Sequence, residues 1–312
     1  MVRKYPDLHF YNLDCLYYCG SIKNIDADVA SMPNYTFIKG KLQDKDLITH
    51  VLEHNHIDTV VHFAAQSHVD NSFTDSLAYT YDNIYGTHIL LECCRQYGKI
   101  SKFVHISTDE VYGESEFSDS DNDQKTETSM LCPTNPYAAT KAASELIARS
   151  YYFSFKLPVV ITRGNNVFGP RQYIEKVIPR FIHLLSNDKK CTLHGDGSSK
   201  RAFIYVDDVA SAVETIMLKG RVGEVYNIGT PEELEIRELA KILIKRIKGD
   251  DANVDDWLEF VEDRHYNDKR YYISDEKLKS LGWSSNVTFE DGLERTLEWY
   301  KNVCVKNHWH HV

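Results

Sequence analysis

Short apolar runs alternate with amphipathic helical stretches through the first 165 residues, and few folds accept that alternation. "LHFYNLD", "YTFIKG", "TVVHFAA", "KFVHIS" and "PVVITRG" read as strands. Helical stretches separate most of them: "DKDLITHVLEHN", "SLAYTYDNIYGTHILLECCRQYG" and "NPYAATKAASELIARSYYFSF". The strand runs are apolar almost throughout, as strands covered on both faces are. Strict βαβ order implies a parallel sheet with right-handed crossovers, so the predicted fold class is α/β, a doubly wound Rossmann-like sheet. After residue 165 the pattern loosens into Gly turns, loops and helices, with "EVYNIG" as a late return to the sheet. We expect residues 1–165 plus about 202–229 to form the larger unit. Residues 166–201 plus about 230–305 then form a smaller C-terminal substrate lobe.

Composition excludes several functions. The chain has 312 residues, enough to bury a large core, and a net charge of −10. A surface that acidic offers nucleic acid or an anionic membrane little attraction. No apolar run approaches the ~20 residues of a membrane span, and "MVRKYPDLHF" lacks a signal-peptide core. Seven cysteines, an odd and scattered set, read as thiols in a reducing cytoplasm. Neither Cys15-x3-Cys19 nor the tail "NHWHHV" has the spacing of a closed metal site, so no metal is expected and the tail is predicted to fray.

Ligands in such sheets bind at the C-terminal strand ends. Asp14, Ala64 to His68, Thr108 to Glu110, and Asn165-Asn166 all follow strands directly. In "HISTDEVYG" a strand runs out into a hydroxyl and two adjacent carboxylates. In a regular strand Asp109 and Glu110 would face opposite ways, so a shared site requires the backbone to turn there. A capped polar loop is the plainer reading of those three residues alone. Tyr137-x3-Lys141 puts a phenol and an ammonium on one helix face. A nearby cation favours the phenolate, a competent base for a hydroxyl proton, although the pair alone also suits a packed Tyr and a surface Lys.

Together these residues resemble the extended short-chain dehydrogenase/reductase superfamily. "STDEVYG", "NPYAATKA", "NNVFGP", "EKVIP", "YNIG" and "LGW" narrow the resemblance to its NDP-glucose 4,6-dehydratases. "YNLDCLYYCGSIKN", "FAAQSHVD" and "VVITR" are most similar to the animal dTDP-D-glucose branch. The resemblance implies NAD as cofactor and dTDP- or UDP-glucose as substrate. In the implied reaction Tyr137, supported by Lys141, removes the 4-OH proton while Thr108 hydrogen-bonds that oxygen. Glu110 then removes the C5 proton, and Asp109 protonates the departing 6-OH. The implied cofactor set is Asp14, Leu42, Ala64, Ala65, Ser107, Tyr137 and Lys141. The implied substrate set is Ser67, His68, Thr108, Asn166, Lys176, Arg201, Asn227 and Arg264. The helices at about 78–97 and 137–154 are apolar on more than one face, and the resemblance implies a homodimer through them.

Three departures qualify that resemblance. The family opens with a strand and a G-x-x-G-x-x-G turn whose N–H groups hold the cofactor pyrophosphate. The first glycine here is Gly20, well past Asp14, so about thirty family residues are expected to be missing from the sequence as given. Without the central strand two sheet edges should stand apart and NAD should bind weakly, unless another segment takes that place. Gly40-Lys41-Leu42 replaces the family's Gly-Asp-Ile, and His265 replaces a proline after Arg264.

Overall fold

A computed structural model describes residues 1–115, 124–264, 266–303 and 308–309. Four parallel strands form its central sheet in the order β3 (Thr59–His62), β4 (Lys102–Thr108), β5 (Val159–Gly164) and β9 (Val225–Ile228). β1 (Phe10–Asp14) and β2 (Tyr35–Lys39) form a separate parallel pair, in register from Phe10↔Tyr35 to Asp14↔Lys39. No ladder among the described residues joins β1 to β3. Central strands β4 and β5 are buried along most of their length, whereas β1 and β2 are only half-buried.

The helices of ten residues or more are α1 (Lys45–His54), α2 (Gly86–Tyr97), α3 (Pro136–Phe155), α4 (Val177–Ser186), α5 (Val206–Lys219), α6 (Ile236–Lys248) and α7 (Phe289–Asn302). Local chemistry sets their ends. The Asp44 side chain accepts from Leu47 N to cap α1, and Asn135 accepts from Ala138 N to cap α3, with Pro136 in its first turn. Residues 76–97, predicted as one helix, run continuously but widen into a π-helical stretch at Thr80–Tyr85.

Alternation along β4 shows why the sheet needs two covers. Phe103 packs with Ile48, Leu52, Leu90 and Tyr151 from α1, α2 and α3. Its neighbour Val104 packs with Val213 and Ile216 of α5 and with Trp283 on the other face. A third core lies in the C-terminal lobe, around Phe168, Phe181, Leu193, Leu243, Phe289 and Leu293. That lobe holds two small sheets: β10 (Glu233–Glu235), β8 (Lys200–Tyr205) and β6 (Asn166–Phe168) in one, β11 (Leu258–Val261) beside β7 (Cys191–His194) in the other. Among the described residues β8 pairs only with lobe strands, so the chain rejoins the central sheet through α5 and β9, while Leu278 and Trp283 pack beneath α5. The tail differs from expectation. Trp309 is 0% exposed against the lobe core and meets Tyr173 edge-on, because a large indole gains more from burial than the chain end gains from fraying.

Candidate active site

The strand ends where the sequence placed its polar cluster. β4 finishes at Thr108, and Asp109–Tyr112 form one 3-10 turn. Thr108 Oγ1 accepts from Glu110 N at 3.4 Å and donates to Asp109 Oδ1 at 3.2 Å, so the hydroxyl caps the turn. The backbone leaves the turn at Gly113, φ 75°, where an added Cβ would stand 2.2 Å from the Cys132 carbonyl oxygen. Only glycine escapes both the strain and the clash. Two asparagines then hold the carboxylates apart. Asn165 Nδ2 donates to Asp109 Oδ2 at 2.7 Å, and Asn135 Nδ2 donates to Glu110 Oε2 at 3.0 Å.

Burial dominates the electrostatics here. Asp109 is 2% exposed, and desolvation together with the neighbouring Glu110 pushes its carboxyl up to about 7. Burial also raises Glu110, with Asn135 and Arg201 opposing the shift. Desolvation lowers Lys141 to about 8, with Glu145 supporting its charge. The phenol behaves differently from the sequence expectation. Burial and the Glu110 carboxylate raise Tyr137, and a hydrogen bond with Thr108 draws it back. Lys141 Nζ meanwhile donates to Ile106 O at 2.7 Å. Desolvation and two nearby carboxylates outweigh one cation committed to a carbonyl.

The raised Asp109 carboxyl has a consequence for stability. Its folded state keeps the proton up to about pH 7, whereas an unfolded aspartate loses it near pH 3.8. Its burial therefore costs nothing below the unfolded value and becomes increasingly destabilising as pH rises toward 7. Asp109→Asn removes that penalty. Its melting temperature should exceed the wild type's at pH 8, with the gap closing toward pH 4. Equal gaps at both pH values would contradict the assignment of a buried, protonated acid.

Above the turn opens a cleft of about 1050 Å³, its open mouth included. Glu110 and Asn135 line it, and so do Ser67, His68, Asn166, Lys176, Arg201 and Arg264. Lys176 Nζ donates to Ser67 O at 2.5 Å, and Arg264 pairs with Asp70 at 2.6 Å. With Arg180, four cations face one cavity, a setting suited to an anionic ligand. Asn227 lies elsewhere. It is fully buried on β9, where its amide accepts from Tyr112 OH at 2.8 Å and donates to Ser274 O at 3.0 Å. Those bonds occupy the group that a ligand would need. Arg264 lines the cleft, and His265 lies outside the described residues.

On the other side, Ser107 Oγ is buried without a hydrogen-bond partner, one residue before Thr108. Asp14 stands exposed at the end of β1, with its Oδ1 accepting from Leu16 N at 2.6 Å. Leu42 borders Gly86, at the start of α2. Ala64 and Ala65 form the loop after β3, and Asn83 holds that loop in place. Asn83 Oδ1 accepts from Gln66 N at 2.7 Å, while its Nδ2 donates to Gln66 O and to Thr140 Oγ1 of α3. Sequence reasoning missed Asn83 and Asn135, and it placed Asn165 at a strand end without giving it a role. An asparagine inside a helix, as at 83, is the one signal available, because its side chain competes with the backbone there.

A family model described as GDP-mannose 4,6 dehydratase matches residues 1–296. The chain is 48% identical over 304 residues to the trifunctional UDP-glucose 4,6-dehydratase/UDP-4-keto-6-deoxy-D-glucose 3,5-epimerase/UDP-4-keto-L-rhamnose-reductase RHM1 of Arabidopsis thaliana. That match covers 96% of this chain and 44% of the plant protein, so the chain spans less than half the length of that relative. It is 46% identical to the dTDP-D-glucose 4,6-dehydratase of Mus musculus, covering 96% of this chain and 83% of that protein. Among solved structures it is similar to the dTDP-glucose 4,6-dehydratase DesIV of Streptomyces venezuelae, determined with NAD and TYD bound. The TM-score is 0.90 and the identity 38%, over 98% of this chain and 92% of that one.

Proposed function

Because the chain belongs to the GDP-mannose 4,6 dehydratase family, we propose that it is an NAD-dependent hydro-lyase. It converts dTDP- or UDP-glucose to the 4-keto-6-deoxy sugar nucleotide and water. One observation carries this reading: Asp109 and Glu110, held by separate asparagines, share one turn, and Glu110 lines a cleft that Lys176, Arg180, Arg201 and Arg264 also line. A 4-epimerase would use Thr108, Tyr137 and Lys141, but it has no task for two further carboxylates.

The side chains fit NAD at two points. The unpartnered Ser107 Oγ stands with Tyr137 and Lys141 for the nicotinamide end, and the Asp14 carboxylate suits ribose hydroxyls. Leu42, Ala64 and Ala65 complete the set we assign to it. When bound, NAD would supply the hydride acceptor that oxidation at C4 needs and the hydride donor that reduction at C6 needs. Tyr137, a phenol in the ligand-free site, takes the 4-hydroxyl proton only after losing its own, and Thr108 hydrogen-bonds that oxygen. The 4-ketone acidifies the C5 hydrogen, and Glu110 removes it. Asp109, protonated up to about pH 7, delivers its proton to the 6-oxygen as the C6–O bond breaks and water leaves. Glu110 later returns its proton to C5. Two carboxyl groups with different partners suit these opposite tasks. Lys176, Arg201 and Arg264 face the diphosphate and nucleoside, while Ser67, His68 and Asn166 face the glucosyl unit. In this reading the larger lobe holds NAD, and the C-terminal lobe holds the sugar nucleotide.

The test incubates the purified chain and NAD with dTDP-glucose and UDP-glucose and weighs the products by mass spectrometry. A product lighter by one water is expected. An unchanged mass with inverted C4 would replace this reading with epimerisation.

Two further assignments belong to this proposal. Leu77 is 80% exposed, and Tyr81, Tyr85, Leu146 and Phe153 are also exposed on the paired helices, so we assign a homodimer through that face. Light scattering at micromolar concentration should give twice the chain mass; a folded monomer would count against it. We place the protein in the cytoplasm, where the six described free thiols stay reduced.

A further inference from the structure

Beneath the catalytic floor lies a buried cation that the proposed reaction leaves unused. Arg163 of β5 is 1% exposed, and its partner Glu145 of α3 is 0% exposed. Arg163 reaches Glu145 through Nε at 3.0 Å and Nη2 at 2.7 Å. Its Nη1 donates to Tyr112 OH at 2.8 Å, and the guanidinium lies over the Tyr112 ring, 4.7 Å from the centroid. Tyr112 OH in turn donates to Asn227 Oδ1. Every member of this chain is buried.

Its ends are what matter. Tyr112 is the last residue of the turn carrying Asp109 and Glu110. Glu145 continues, at i+4 and i+8, the α3 face that carries Lys141 and Tyr137. A buried pair of this kind is poor evidence for stability, because desolvation offsets most of its attraction. It does fix geometry, since the guanidinium fork accepts few arrangements of its partners. We infer that Tyr112, Arg163 and Glu145 are positioning residues that hold the acid–base turn in register with the helix bearing the oxidation residues. They touch no substrate and act through Asp109 and Glu110. The inference rests on the dehydratase reading for its chemical consequence, while its structural claim does not depend on that reading.

Tyr112→Phe tests it by removing one hydroxyl while leaving the ring beneath the guanidinium. Hydrogen exchange in the ligand-free protein should quicken about tenfold or more at the 110–113 amides, since the hydroxyl loses its bonds to both Arg163 and Asn227, with a melting temperature lower by only a few degrees. With substrate, kcat should fall about tenfold at unchanged KM. Reduced nicotinamide should accumulate, because water loss slows while C4 oxidation does not. Unchanged exchange at the turn overturns the inference whether or not the chain is a dehydratase. A fall in both half-reactions together also overturns it, leaving a structural role only. If Tyr112→Phe does not fold, the paired change Arg163→Met with Glu145→Gln removes both charges at once and is read in the same two ways. A wild-type chain that folds but releases no water would sink the functional proposal, and the exchange measurement would still decide this one.

Discussion

Asp109→Asn should slow water loss by about 10² to 10⁴, the range for one lost general acid, while C4 oxidation continues. The amide preserves the shape of the carboxyl and can still accept from Asn165. It cannot give the 6-oxygen a proton, so the leaving group would depart as hydroxide. Tyr137, Lys141 and Thr108 are untouched, so hydride should still leave C4 and the near-ultraviolet absorbance of reduced nicotinamide should build up in a single turnover. The pH dependence follows from the same proton. Elimination in the wild type should decline above about pH 7 as Asp109 ionises, and that decline should vanish in the variant. Equal loss of both half-reactions would remove Asp109 from the role of acid.

Arg163→Ala is expected to destabilise the fold more than any surface change. Truncating one partner of a buried ion pair leaves the other charge unmatched, at a cost of about 3–5 kcal/mol. Here that other charge is Glu145, fully buried on α3 and joined to Arg163 through Nε and Nη2. Tyr112 OH would lose one of its two partners as well. Urea unfolding should show a lower midpoint with little change in slope. Arg163→Ala combined with Glu145→Leu should recover most of the loss, because an apolar pair needs no hydrogen bonds. Failure of that recovery would show that the damage comes from lost packing volume.

The sequence made some of this legible for a clear physical reason. Strands covered on both faces must be apolar throughout, so β3, β4 and β5 stand out of the text as "TVVH", "KFVHIST" and "VVITRG". The capped turn at 108–110 was visible as a polar cluster where that pattern stops. Asn135 was not, because Asn-Pro before a helix already has a complete explanation as a cap. Its second bond, to Glu110, depends on the fold. Asn227 fell the other way: its motif suggested a ligand, and tertiary packing gave its amide to Tyr112 and Ser274. Tyr137 and Lys141 could be paired by spacing alone, yet their protonation was not legible, since burial sets it and spacing does not report burial.

The unjoined sheets carry a consequence for how the molecule comes apart. β1, β2, α1 and their connections meet the rest through side-chain packing of Leu13, Ile48 and Leu52, through the Lys4–Glu214 and Arg171–Asp26 ion pairs, and through hydrogen bonds of Tyr18 to Glu175 and Gln43 to Asp82. Among the described residues no strand ladder crosses from one sheet to the other. Breaking a ladder disrupts both its strands at once, whereas sliding apart a packed face leaves each sheet's own bonds intact. Hydrogen exchange should therefore show the first 54 or so residues opening as one unit, below the free energy of global unfolding. Asp14 belongs to that unit and Tyr137 does not. A ligand grasped by both would bridge two foldons, and its binding energy would appear as cooperativity between them.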